Sequence, residues 1–219
     1  MKLKSLIFAV LLLAAKSLFA QTGFPFADEI RHFKTADSLH FPTPGGNLFI
    51  GSSSIRKWDD LEQRFPDKRV LKRGVGGCTL HDLVKYYTPY ILFPYQPDRI
   101  FLYAGENDIA AGAPAQQVYD DFVALYNMVQ QKLPGSKLYW MSVKKSPVRA
   151  TTYAQVDSVN TMVKAFISDH PGCKYIDVNT VLFKKETGEP DSALFMPDYL
   201  HLKKEGYDRW QKALKKHVD

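Results

Sequence analysis

Cysteine is scarce, with two residues in a chain of 219. That is too few for a scaffold in which disulfides stand in for a hydrophobic core. No apolar run is long enough to cross a bilayer. Leu6 to Ala15 is uninterrupted for 10 residues, whereas a spanning helix takes ~20. Beyond the first twenty residues there is no internal repeat, no low-complexity tract and no Pro/Gly-rich linker, which excludes disorder and collagen-like fibres. A block of like charge is also missing. Lys and Arg are scattered, apart from Lys203-Lys204 and the C-terminal Lys212, Lys215 and Lys216, which fit solvated helix faces better than a nucleic-acid surface. What remains is 45% hydrophobic and 24% charged, enough for one globular domain with a sizeable core.

The start of the chain differs from the rest. Lys2 and Lys4 precede the apolar run, Lys16 and Ser17 end it, and Leu18-Phe19-Ala20 leads into Gln21. A basic start, a short apolar middle and a small residue at the cut are the layout of a secretory signal peptide. Cleavage is expected after Ala20, leaving residues 21–219 as a single domain in a secreted or periplasmic protein with no stable membrane insertion. Lys2, Lys4 and Lys16 would leave with the leader and no acid would. The remainder then carries 26 basic and 23 acidic residues, a net of +3 in place of +6. No nucleic-acid partner is expected from that balance.

After the leader, short apolar segments alternate with helical periods. Strands are expected at Asn47–Ile50, Arg69–Leu71, Arg99–Tyr103, Leu138–Val143 and Tyr175–Val178. Phe26, Ile30 and Phe33 predict an N-terminal helix packed across the sheet. Val118, Phe122, Leu125, Val129 and Leu133 make one stripe, with Pro114 near its first turn. Val156, Val159, Val163 and Phe166 make a second, and Tyr207, Trp210 and Leu214 line a last helix. Leu80, Leu83, Val84 and Tyr87 begin another, which Pro89 should interrupt. Such alternation predicts an α/β fold, a parallel sheet with helices on both faces. Ligands then bind beyond the carboxyl ends of the strands.

Four segments sit at those ends: Gly51-Ser52-Ser53-Ser54, Gly74-Val75-Gly76-Gly77-Cys78-Thr79, Gly105-Glu106-Asn107-Asp108, and Asp198-Tyr199-Leu200-His201 before the last helix. Each alone is ordinary turn chemistry. Together they offer a hydroxyl, a base, a carboxylate and amide donors. A serine hydroxyl is a weak nucleophile until a base takes its proton. An imidazole does so when a carboxylate holds its other nitrogen, and Asp198 and His201 are spaced for one turn. The oxyanion needs donors already in place, which the Ser53 and Gly77 N–H groups and the Asn107 amide can supply. Three consecutive serines leave the nucleophile open between Ser53 and Ser54 on chemistry alone.

In order and approximate spacing, from Phe49 to Trp210, these segments resemble the SGNH hydrolases, the GDSL-type esterase/lipase family, and within it the branch of platelet-activating-factor acetylhydrolase. The family's Gly-Asp-Ser is matched by Gly51-Ser52-Ser53, its block-two glycine by Gly77, its Gly-x-Asn-Asp by Gly105 to Asp108, and its Asp-x-x-His by Asp198 to His201. The resemblance implies a three-layer α/β/α sandwich, a flavodoxin-like five-stranded parallel sheet in the order 2-1-3-4-5. It also implies ester hydrolysis by Ser53, His201 and Asp198, an oxyanion hole of Ser53, Gly77 and Asn107, and no metal or other cofactor. Ser52 replaces the family's Asp, and Lys72-Arg73-Gly74 stands where the family often has Asn-x-Gly.

Competing motifs fail on single positions. A dinucleotide fingerprint starting at Gly74 would need Gly at position 79, which is Thr79, and the nucleophile elbow G-x-S-x-G meets Ile55. Lys144, Lys145 and Arg149 follow the fourth strand on the site's edge and are candidate contacts to a polar or anionic part of the substrate. Glu106 is either structural or a subsite contact. No segment is long enough for a lipase lid, which favours a small-molecule or glycan ester with a short acyl group such as acetyl. The alternative is a non-catalytic module holding a glycan or acyl ligand on the same fold. Cys78 and Cys173 should both be free thiols, because they belong to opposite ends of the two outermost strands. A disulfide needs Cα atoms within ~7 Å, and five strands at ~4.8 Å spacing put the edges ~19 Å apart. Cys78, beside the oxyanion loop, should be the more reactive.

Overall fold

The computed structural model describes residues 24–218, so the leader and the expected cut after Ala20 lie outside the described residues. Strands β1 (Asn47–Gly51), β2 (Val70–Gly74), β3 (Arg99–Tyr103), β4 (Lys137–Met141) and β5 (Cys173–Ile176) pair in parallel in the order β2-β1-β3-β4-β5. β1 is buried along its whole length. Its alternate residues feed two separate cores, as the two-residue period of a strand requires. Leu48 and Ile50 pack with Ile100, Leu102, Leu138 and Trp140 on one face. Phe49 packs with Phe101, Tyr139 and Met141 on the other.

Helices cover both faces. The first core receives Ile30 of α1 (Ala27–Leu39), then Val118, Phe122, Leu125 and Val129 of α6 (Ala115–Lys132), and Val156, Val159 and Val163 of α7 (Tyr153–Ser168). The second receives Trp58, Leu61 and Phe65, and Tyr207, Trp210 and Leu214 of α8 (Lys204–Leu214). These are the apolar stripes expected from the sequence, except that Phe26 lies just before α1 at φ +56 and is exposed, and that the segment following α2 (Ser53–Arg56) carries no helical period. Its Trp58 is nonetheless fully buried, stacked on Tyr207 with centroids 4.9 Å apart.

Several boundaries differ from expectation: β2 runs 70–74 against an expected 69–71, and β4 runs 137–141 against 138–143. β5 begins at Cys173 and ends at Ile176, where expectation had 175–178, because Cys173 pairs with Leu138 and Ile176 with Met141. Beyond Ile176 the Ser142 hydroxyl accepts the N–H groups of Val178 and Asn179, each at 3.0 Å, and so ends the ladder. Pro89 does not break its helix. α3 (Leu80–Asp82) runs through a π-turn at Leu83–Tyr87 into α4 (Thr88–Ile91), with Pro89 in the first turn of α4. Proline has no N–H to give a helix, and a π-bulge is where a helix can absorb that loss.

β2 and β3 flank β1 on opposite sides, so the chain reverses its direction of winding there. The crevice beyond the carboxyl ends of β1 and β3 is where this fold class binds ligands.

Candidate active site

Gly51 ends β1 at φ +136, and a Cβ there would meet the Tyr103 carbonyl oxygen at 1.8 Å. Only glycine lets β1 and β3 run side by side to this point. The chain turns at Ser52, whose N–H donates to Tyr103 O at 3.0 Å and whose carbonyl accepts from Ile55 and Arg56. Ser53 thereby becomes the first residue of α2, and Ser54 turns inward and is buried. The Ser52 side chain makes no capping bond.

His201 Nε2 lies 2.9 Å from Ser53 Oγ, and His201 Nδ1 lies 2.6 Å from Asp198 Oδ2. The other Asp198 oxygen accepts the N–H groups of Leu200 and His201, both at 2.9 Å. This turn is held at its base by the antiparallel bridge of Phe195 with Leu202, and by Met196 N donating to His201 O at 2.7 Å. Slight burial pushes the Asp198 carboxyl upward in pKa. The imidazole and the two N–H donors outweigh it and hold the group well below the usual carboxylate range.

Gly77 takes φ +79, a left-handed conformation in which the Phe26 ring covers the space a side chain would need. The N–H groups of Ser53 and Gly77 donate to no protein atom among the described residues. Asn107 Nδ2 donates to Cys78 O at 3.0 Å, and its Oδ1 accepts from Arg149 Nη2 at 3.0 Å. The loop around Gly77 is tethered from two sides. Asp108 accepts from Leu80 N at 2.9 Å and His81 N at 3.2 Å, and Glu29 of α1 accepts from Gly76 N at 2.9 Å. Burial raises the Asp108 carboxyl's pKa despite its backbone donors.

The three basic candidates after β4 part company. Lys144 is buried, 1% exposed, and paired with Glu106, so it faces the interior and not the cleft. Lys145 Nζ pairs with Asp157 at 2.8 Å and its N–H donates to Asn179. Arg149 reaches Asn107. Glu106, 5% exposed, is structural: it accepts from Tyr103 Oη at 2.8 Å, and from Ser146 and Lys144 at shorter range. Sequence reasoning missed this buried pair, because an acid at 106 and a lysine at 144 are far apart in the chain. It also missed Glu29, and the Asp108 tether, for which the Asp of Gly-Glu-Asn-Asp was the available signal. Cys78 is fully buried, and burial followed by nearby acids raises its thiol pKa well above the ordinary value. That corrects the expectation of reactivity. Both cysteines are free.

A family model described as GDSL-like Lipase/Acylhydrolase matches residues 46–209. A solved structure provisionally named platelet activating factor, from Streptococcus pneumonia, is 21% identical with a TM-score of 0.77, covering 97% of this chain and 99% of that one. A GDSL-like lipase from Bacteroides thetaiotaomicron VPI-5482 is 15% identical with a TM-score of 0.73, covering 85% and 95%. A carbohydrate esterase family 3 protein from Talaromyces cellulolyticus is 12% identical with a TM-score of 0.63, covering 80% and 95%. No curated protein matches significantly. A family match across 46–209, on a parallel sheet with the family's strand order, places the chain in the GDSL-like lipase/acylhydrolase family, as a carboxylic ester hydrolase.

Proposed function

We propose that this protein is an exported serine esterase that removes short acyl groups, acetyl foremost, from small-molecule or glycan esters. The observation that carries the reading is the unbroken line from Ser53 Oγ through His201 to Asp198, at 2.9 and 2.6 Å. A module that merely held a glycan would have no use for a serine bonded to a carboxylate-backed imidazole. The absence of a lid-length segment supports a short acyl group. The carbohydrate esterase among the structural neighbours supports a glycan ester, and the signal-like leader supports export.

In this mechanism His201 Nε2 accepts the Ser53 proton as Oγ attacks the ester carbon. The carbonyl oxygen, now anionic, receives the Ser53 and Gly77 N–H groups and the second Nδ2 proton of Asn107. His201 passes its proton to the leaving alkoxide, and an acyl group remains on Ser53. Water then gives a proton to His201 and attacks the acyl-enzyme, and the tetrahedral intermediate collapses to release the acid and restore the hydroxyl. Asp198 stays ionised throughout and stabilises the imidazolium.

The test is hydrolysis of p-nitrophenyl acetate and its longer-chain homologues, beside acetylated sugars, by the wild type and by Ser53→Ala. Activity should be highest on acetyl esters and vanish in Ser53→Ala with the fold unchanged. Full activity in Ser53→Ala, with loss in Ser54→Ala, would move the nucleophile by one residue.

A further inference from the structure

An asparagine amide is nearly symmetric in shape, and a half-turn about its last bond exchanges oxygen for nitrogen. For Asn107 that exchange would point a carbonyl at the developing oxyanion and repel it. The partners on its two sides admit one orientation only. Cys78 O is purely an acceptor and must face Nδ2, at 3.0 Å. Arg149 Nη2 is purely a donor and must face Oδ1, also at 3.0 Å. One Nδ2 proton is spent on Cys78, and the other remains for substrate.

Arg149 is itself fixed by the residue before Asn107. Its Nη1 donates to the Glu106 carbonyl at 3.1 Å and lies 3.5 Å from Glu106 Oε1. The Glu106 carboxylate is anchored in turn by Lys144, Ser146 and Tyr103. Burial opposes its ionisation, but the charges of Lys144 and Arg149 outweigh that and hold its pKa below the ordinary value. Both arms of the guanidinium are therefore committed to residues 106 and 107.

We propose that Arg149 is a positioning residue for the oxyanion hole: it locks the Asn107 amide with Nδ2 toward the substrate and, by placing positive charge on Oδ1, strengthens the N–H that meets the oxyanion. The buried Glu106–Lys144 pair is the footing that keeps it there. This rests on the proposed role of Asn107.

The experiment is a double-mutant cycle on p-nitrophenyl acetate with Asn107→Ala, Arg149→Ala and their combination. Thermal melts check folding, and Arg149→Lys is a second variant that keeps charge but lacks the planar fork. Arg149→Ala and Arg149→Lys should each lower kcat about tenfold or more, less than the ~10²-fold or greater loss of deleting the donor itself, with KM within about twofold of wild type. Because Arg149 acts through Asn107, adding Arg149→Ala to Asn107→Ala should cost no further rate. Equal losses from Arg149→Ala with and without Asn107 would overturn the proposal, as would a rise in KM at constant kcat, the mark of a substrate contact. Should Asn107→Ala alone leave the rate unchanged, the oxyanion reading of Asn107 fails first. If Asn107→Ala is crippled while both Arg149 variants keep full rate, only the present inference falls.

Discussion

Tyr199 sits between Asp198 and His201 with φ +52, exposed and without a glycine's freedom. A non-glycine residue in that region costs roughly 1–2 kcal/mol, against roughly 0.5–1 kcal/mol of added chain entropy for glycine. Tyr199→Gly should therefore raise the melting temperature by a few degrees at most, read in a thermal melt. A fall would mean that contacts of the ring outweigh the strain. The neighbouring Asp198 keeps its charge into acid. Its pKa is lowered in the fold, so it stays ionised as pH drops and loses its contribution only when pH falls through that depressed value. The acid limb of kcat/KM should thus show the slope of one ionisation, with none from Asp198. A slope of two in the pH–rate profile would show that Asp198 titrates within that limb.

The segments of the candidate site depend on the elements that end at them. Asp108 in α5 (Glu106–Ala110) binds the first two N–H groups of α3, the helix that directly follows Gly77 and Cys78. Asp108→Ala would leave two backbone donors without partners. The expected cost is roughly 1–3 kcal/mol of stability, seen in urea unfolding, together with reduced kcat as the loop around Gly77 loosens. Undiminished kcat would show that Glu29, through Gly76, holds the loop unaided. Strand and helix assignments were legible wherever one period ran unbroken, as in α6 and α7. They failed where side chains set the boundary, as at Ser142 beyond β5, because such a bond joins residues distant in sequence.

At the scale of the whole molecule, the strand order puts Cys78 beyond one edge strand and Cys173 in the other. Both are buried, and desolvation pushes the Cys173 thiol up to about 12. Titration with a thiol reagent should find two groups in denaturant and react slowly in the native state, since a buried thiol yields little thiolate. Rapid modification of Cys78 in the folded protein would show that the loop around Gly77 opens readily. Finding no thiols in denaturant would contradict the placement of β2 and β5.

The sequence by itself determined the family, the α/β class and the segments from which Ser53, His201 and Asp198 come together in one hydrogen-bonded line. Gly51-Ser52-Ser53, Gly77, Asn107 and Asp198 to His201 are local segments at strand ends, and the requirements of acyl transfer could be matched to them one by one. Tertiary structure alone decided what each basic and acidic side chain faces. Lys144 and Arg149 are close neighbours in the chain, yet Lys144 is buried on Glu106 while Arg149 reaches Asn107. Cys78 directly follows Gly77 in sequence yet points into the core. A side chain's direction depends on the twist of its strand and on partners dozens of residues away, and neither composition nor spacing carries that information.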